Sequence, residues 1–244
     1  MTIDAKGIYY RQLNEKVREA IAAGEEAVVL DNVNGQRYIA DGLRAKATIT
    51  INGVPGNDLA AFMDGPTLIV NGNAQDGVAN TMNDGKIVVN GHAGDVLGYG
   101  MRGGKLYIKG DVGYRVGIHM KGFKSQVPVI IAGGTAGDFF GEYMAGGILV
   151  LLGLGRKDGE PIAGGYLGTG MHGGVMYIRG EVDPEDCGKE IGILEPDEEE
   201  METLKGYLKE FCADTGHDFD EIMKQKFIKI YPKSSRPYGR LYAY

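Results

Sequence analysis

A repeat of 19 residues constrains this chain more than any other feature of its sequence. Met63, Met82, Met101 and Met120 lie 19 residues apart, and Met144 and Met171 follow after 24 and 27 residues. A glycine series keeps the same 19-residue period, with longer intervals of 24 residues after Gly110 and 27 residues after Gly153: Gly53, Gly72, Gly91, Gly110, Gly134, Gly153 and Gly180. The longer intervals contain insertions with Pro and Gly, near residues 123–128 and 154–162, which are typical of loops that leave a coil. Two series with one period indicate stacked structural units.

Each unit combines a short apolar strand, a glycine-rich stretch and a Met-x-Gly-Gly corner, as in residues 87–104. Because successive units share one phase, they predict parallel stacking rather than antiparallel hairpins. Glycine suits sharp corners, so we expect a side chain at Gly98, Gly117 or Gly141 to collide with the neighbouring coil. The predicted fold class is an all-β solenoid, a right-handed parallel β-helix of about seven coils spaced about 4.8 Å apart, with short α-helical caps at both ends.

Alternation within each strand predicts which side chains point inward. The predicted interior positions are Ile49, Ile51, Leu68, Val70, Ile87, Val89, Leu106, Ile108, Ile130, Ala132, Leu149, Leu151, Met176 and Ile178. The residue between each pair is predicted to point outward, and we call this row the outer strip: Thr50, Ile69, Val88, Tyr107, Ile131, Val150 and Tyr177.

An apolar outer strip needs a cover, which either the ends of the chain or a partner protein supplies. Two short terminal helices are expected to shield only part of it. The remainder is predicted to be a partner interface in which the two tyrosines are the anchors. Its residues are Ile69, Val88, Tyr107, Ile131, Val150 and Tyr177.

The sequence predicts three regions. Residues 1–26 form an N-terminal helical cap, since apolar residues at helical spacing run from Leu13 to Ile21. Residues 27–182 form the β-helix, which opens with irregular strands at 27–30 and 36–40. Residues 183–244 form a C-terminal cap, with one helix from about Pro196, a second from about Asp220 and a basic aromatic tail from Phe227.

Composition excludes several classes of partner. The formal charge is −7 and the basic residues form no stripe, so we expect no nucleic-acid partner. No apolar segment approaches the length that crosses a bilayer, and we expect no membrane partner. Two cysteines and no secretory signal pattern indicate a cytoplasmic protein without a disulfide framework.

Candidate catalytic and ligand motifs are better explained by the repeat. Two G-x-G-x-x-G sequences, at 98–103 and 168–173, share one phase of the coil and precede strands, whereas a dinucleotide fingerprint opens a helix. The methionines are predicted to fill the core, and Asn52, Asn71 and Asn90 to form a hydrogen-bonded ladder. The four histidines occupy different phases. We therefore predict no catalytic residue, no cofactor site and no metal site on this chain.

The coil pattern G-x-x-G-x-x-x-G with M-x-G-G, preceded by the segment Asp31–Arg37, resembles the C-terminal β-helix (GXGXG) domain of the glutamate synthase large subunit. The resemblance covers residues 27–182, and the tail from Phe227 resembles that of stand-alone versions of the domain. It implies a non-catalytic structural subunit that buttresses a glutamine amidotransferase subunit and a flavin-dependent synthase subunit. Flavin and iron-sulfur groups are then expected on those partners, which transfer the glutamine amide to 2-oxoglutarate. The coil repeat is equally similar to the β-helix subunit of formylmethanofuran dehydrogenase, which remains the alternative.

Overall fold

The computed structural model describes residues 1–157 and 159–235. Eleven strands of these residues join one sheet, in the order β1-β2-β3-β4-β5-β6-β7-β8-β9-β11-β10. The elements in chain order are β1 Thr2–Asp4, α1 Tyr10–Ala22, β2 Ala27–Asn34, β3 Thr48–Val54, β4 Asp64–Asn71, β5 Asp84–Val89, β6 Lys105–Ile108, β7 Val129–Ala132, β8 Ala145–Leu151, β9 Gly173–Arg179, β10 Ile191–Leu194, α2 Glu198–Thr215, α3 Phe219–Met223 and β11 Phe227–Pro232.

The pairing of strands β3 to β9 follows the sequence repeat residue by residue. Ile49 pairs in parallel with Leu68, Leu68 with Ile87, and Ile87 with Leu106. The same row continues across both insertions through Ile130, Leu149 and Met176. The structure therefore confirms the predicted parallel solenoid, and the insertions leave this row in register. The pairing shifts by one residue near the starts of β4 and β8.

The core is a stack of identical positions from successive coils. All fourteen predicted interior strand residues have no exposed side-chain surface, and neither do the six methionines of the repeat. The methionine series is therefore a column of core side chains, as predicted. The asparagine ladder is also confirmed: the Asn71 amide donates to Asn52 Oδ1 over 2.8 Å, the Asn90 amide donates to Asn71 Oδ1 over 3.3 Å, and Asp31 extends the ladder by one coil.

The marker glycines allow adjacent coils to approach closely. The Gly110 N–H donates to the Gly91 carbonyl over 2.9 Å, and the Gly134 N–H donates to the Gly110 carbonyl over 2.9 Å. A β-carbon on Gly72 would lie 2.5 Å from the Gly53 carbonyl oxygen. Any side chain here would separate the coils, so this column requires glycine.

Opposite the sheet, each coil turns through three left-handed residues at alternate positions. Arg115, Gly117 and His119 have φ values of 56°, 74° and 54°. The middle residue points into the core, and this position holds Ala60, Ala79, Gly98, Gly117, Gly141 and Gly168. A β-carbon on Gly117 would lie 2.9 Å from Leu149 Cδ2. The expected collision with another coil is confirmed, and the obstacle is a core side chain of strand β8.

The ends of the chain differ from the prediction. The segment 36–40 is not a strand, because Tyr38 and Ala40 have φ values of 60° and 61° and form the corner of the first coil. Strand β1, which pairs in parallel with β2, was not predicted. The start of the basic aromatic tail is strand β11, which pairs antiparallel with β9 and β10. Residues 236–244 of that tail lie outside the described residues. Among the described residues, no helix is long and apolar enough to cross a membrane.

Candidate interaction surface

Helix α2 covers most of the outer strip, which corrects the predicted partner interface. Val88, Tyr107, Ile131, Val150 and Tyr177 are buried in one cluster with Leu204, Leu208, Phe211 and Cys212 of α2. The Tyr107 ring meets the Phe211 ring edge to face, with centroids 5.8 Å apart. These five strip residues are unavailable to a partner because the chain's own helix shields their apolar surface. Ile69 is only half-buried, and its role at an interface stays a prediction.

The helix is held on the strip by its start and its flanks. Asp197 and Glu200 form a reciprocal capping box at its first turn. Lys86 Nζ lies 2.8 Å from Asp214 Oδ2, Lys105 Nζ lies 2.5 Å from Glu210 Oε2, and Lys229 pairs with Glu200. These pairs fix the orientation of α2 over the apolar contact, which supplies most of the stabilisation.

The packing of α2 shifts the pKa values of two ionisable groups, Glu210 on the helix and Tyr107 on the outer strip. Burial opposes ionisation of Glu210, but its hydrogen bond and charge contact with Lys105 lower the pKa of the carboxyl overall. Burial, reinforced by the negative charge of Glu210, raises the pKa of Tyr107 above its ordinary value. The Tyr107 hydroxyl is buried beside Glu210. Both groups belong to the packing of the helix.

Each histidine has a different role. His92 Nδ1 accepts the Asp111 N–H over 2.9 Å and thereby links two coils. His172 and His217 contact the carbonyl groups of Gly170 and Lys109. His119 stacks on Tyr143, with centroids 5.4 Å apart. In the two described stretches of chain, no three His, Cys, Asp or Glu side chains are grouped in a way that could hold a metal ion.

The left-handed corners carry a row of aromatic side chains that strand alternation did not predict. We call it the aromatic corner. It consists of Phe62, Tyr99, Tyr114, His119, Phe139, Tyr143 and Tyr166. Phe62, Tyr99, Tyr114 and Tyr166 each expose between 41% and 61% of their surface. Phe139 stacks on Tyr166 with centroids 4.8 Å apart, and His119 bridges Tyr99 and Tyr143. This is an extended aromatic surface that the chain's helices do not bury.

The aromatic corner also carries charge. Arg115 lies over the Phe139 ring at 4.8 Å, and its Nε is 3.4 Å from Glu142 Oε2. Asp76 and Asp95 each use Oδ1 to accept a backbone N–H from the following coil over 2.9 Å. The carboxylates therefore stabilise the stack, while their second oxygens take no part in these bonds.

A cavity of about 290 Å³ interrupts the aromatic corner at Gly77, and we call it the Gly77 cavity. Its walls are Asn57, Asp58, Asp76, Asn80, Val96 and Tyr99. Its lining includes two carboxylates and an aromatic ring but neither lysine nor arginine.

Comparison with known proteins gives the family of this chain and proteins similar to it. The family model described as GXGXG motif matches residues 12–233. Uncharacterized protein MJ1350 of Methanocaldococcus jannaschii is 49% identical over 250 residues, which cover 99% of this chain and 96% of that protein. A chain of the crystal structure of the formyltransferase/hydrolase complex (FhcABCD) from Methylorubrum extorquens, solved with methylofuran, is similar in fold. The TM-score is 0.66 at 23% identity, over 84% of this chain and 72% of that chain.

Proposed function

Because the chain belongs to the GXGXG motif family, we propose that it is a non-catalytic structural subunit of a multi-subunit enzyme. The aromatic corner carries this proposal. Its exposed rings form a row along the solenoid, in which His119 contacts Tyr99 and Tyr143 and Phe139 contacts Tyr166. A protein that acts alone rarely exposes such a surface to solvent. Aromatic residues are favoured at protein interfaces, where they bury large areas at little entropic expense.

The chemistry of the complex is proposed to reside on its other subunits. On this chain, histidines and carboxylates are used to link coils, as His92 and Asp76 illustrate. The Gly98 and Gly168 motifs turn the backbone at left-handed corners, and they open no helix that would bind a phosphate. We therefore assign no cofactor to this chain and place any flavin or iron-sulfur group on partners.

The type of complex is proposed to be one that handles formyl groups. The solved structure with a similar solenoid belongs to a formyltransferase/hydrolase complex, which favours a role like that of the β-helix subunit of formylmethanofuran dehydrogenase. Glutamate synthase is the second candidate, because the segment Asp31–Arg37 resembles its β-helix domain. That segment has a structural explanation, however. Buried Gln36 accepts the Asn34 N–H and donates to the Ala5 carbonyl, so it anchors the N-terminal segment to the first coil.

Purification of the affinity-tagged chain from its native host tests the proposal. We expect other subunits to co-purify in fixed stoichiometry, with an untagged strain as the control. Formyl-transferring or formyl-hydrolysing subunits among them would support the first candidate. An amidotransferase and a flavin-dependent synthase would support the second. A chain that always purifies as a single species, at native expression level and low salt, would contradict both.

A further inference from the structure

We propose that the Gly77 cavity receives an arginine side chain of a partner subunit, and that this contact anchors the partner's basic surface on the aromatic corner. The inference rests on the proposed function, since it requires a partner chain. It names the place and the chemistry of the contact, which the proposed function leaves open.

The chain itself shows how this surface binds a guanidinium. Arg115 occupies the first left-handed position of its coil, and its guanidinium lies over Phe139 and beside Glu142. Two repeats earlier in the sequence, 38 residues back, the same position is Gly77, with a φ of 73°. The side chain that fills the corner at Arg115 is therefore missing at Gly77, which lines the cavity and whose β-carbon would point toward Asp58.

The walls of the Gly77 cavity suit the same group. Asp58 Oδ1 accepts the Asn80 amide over 3.2 Å, and Asp76 Oδ1 accepts the Asp95 N–H over 2.9 Å. Each carboxylate uses one oxygen in these bonds, so the other can accept from a planar guanidinium. The Tyr99 ring, which is 41% exposed, supplies an aromatic surface at the rim.

Charge complementarity selects the occupant. The two carboxylates of the cavity are unopposed by any cation in its lining, and the whole chain carries a formal charge of −7. Arginine satisfies both the carboxylates and the aromatic ring, because its guanidinium forms paired hydrogen bonds and stacks on rings. Lysine, a compact and strongly hydrated charge, would use only the carboxylates. The partner surface is therefore expected to be basic and to present at least one arginine.

The first experiment uses acetylated hexa-arginine and hexa-lysine peptides as probes of the full-length chain, with affinity measured by titration calorimetry at fixed ionic strength. We expect hexa-arginine to bind more tightly than hexa-lysine. Gly77→Arg should fill the cavity and weaken hexa-arginine binding about tenfold or more; its β-carbon would lie 2.8 Å from Asp58 Oδ1, so the Asp58 side chain has to move to admit it. Asp58→Asn should weaken it similarly, without a change of shape.

Gly216→Arg is the matched control, because Gly216 also has a left-handed backbone, with a φ of 76°, and a side chain there meets open space at the end of α2. It makes the same change of charge away from the cavity. Equal weakening by Gly77→Arg and Gly216→Arg would show only general attraction of charges and would overturn the proposal. So would equal affinity for the two peptides. If thermal melting shows that Gly77→Arg does not fold, the isosteric Asp58→Asn variant decides the outcome.

The second experiment introduces Gly77→Arg and Gly216→Arg into the native host and repeats the tagged purification. Loss of partner subunits with Gly77→Arg alone is expected. A complete complex with folded Gly77→Arg would overturn this inference and leave the proposed function standing. If the unchanged chain purifies alone, the proposed function has failed instead. If Gly77→Arg abolishes self-association of the chain and leaves its other partners bound, the occupant is a second copy of this chain. The assignment to a partner subunit is then wrong.

Discussion

Gly117→Val is expected to lower the free energy of unfolding by roughly 2–6 kcal/mol, which combines backbone strain and overpacking. Gly117 has a φ of 74°, where a β-branched residue is strained. Its β-carbon would lie 2.9 Å from Leu149 Cδ2, and the two methyl groups of valine would extend further into the buried core. For a chain of this size, the thermal midpoint should fall by about 5 °C or more.

Gly117→Ala is the matched control for this prediction. Ala60 and Ala79 occupy the same corner position of earlier coils, each with a φ of 61°. The corner therefore tolerates a single methyl group when the facing side chains are suited to it, and the alanine variant should lose clearly less stability than the valine variant. Equal thermal midpoints for the valine variant and the unchanged chain would mean that Gly117 does not face the core.

Deletion of residues 53–71 should remove one coil and leave a folded, cooperative protein, whereas deletion of residues 53–62 should abolish folding. The 19-residue deletion joins Asn52 to Gly72, so every later residue keeps its phase and β3 can pair with β5 as it now pairs with β4. The ten-residue deletion leaves about half a coil, which cannot return the chain to the sheet. A solenoid tolerates the loss of a whole unit because each coil contacts mainly its neighbours.

Circular dichroism and thermal melting check this pair of deletions. The site is chosen because α2 contacts β5 and β6, and α1 contacts β2, so neither helix depends on β4. If the variant with the ten-residue deletion folds, or the variant with the 19-residue deletion does not, the additive stacking of coils is contradicted.

The sheet and its core could be predicted from the sequence because the information is local and repeated. Alternation within each strand identifies the residues that point inward, and the 19-residue interval sets the register between neighbouring strands. Ile130 and Met176 align with Leu106 and Leu149 even across insertions, since only the loops lengthen. Side chains in one column therefore face one environment.

The cover of the outer strip could not be predicted in the same way. Alternation shows that Tyr107 points outward, but not what lies over it. What covers Tyr107 depends on contacts between residues that are distant in the sequence, such as Lys105 with Glu210. The helical spacing of α2 predicts an apolar face but does not indicate which surface that face packs against. For the same reason, the sequence did not predict that residues 227–232 form a strand, because their partner strand β9 lies about 50 residues earlier in the chain.

The aromatic corner was missed because of its backbone. Phe139, Tyr143 and Tyr166 have φ values of 63°, 50° and 63°, which bulky side chains rarely adopt. Propensity alone therefore gives no reason to place aromatics at tight corners. The repeat nevertheless contains a pattern that could have identified them. Five of the seven aromatic corner residues fall at two positions of the repeat, and a comparison of the residue types at each position would show this.

The most direct test of the structural role compares the purified chain with the native complex in the same assays. We expect the isolated chain to be folded, without absorption in the visible range, and inactive in formyl transfer, formyl hydrolysis and glutamine hydrolysis. The complex should carry the activity and any coloured cofactor. A cofactor that remains on the isolated chain, or turnover by that chain alone which a folded variant abolishes, would contradict a purely structural role.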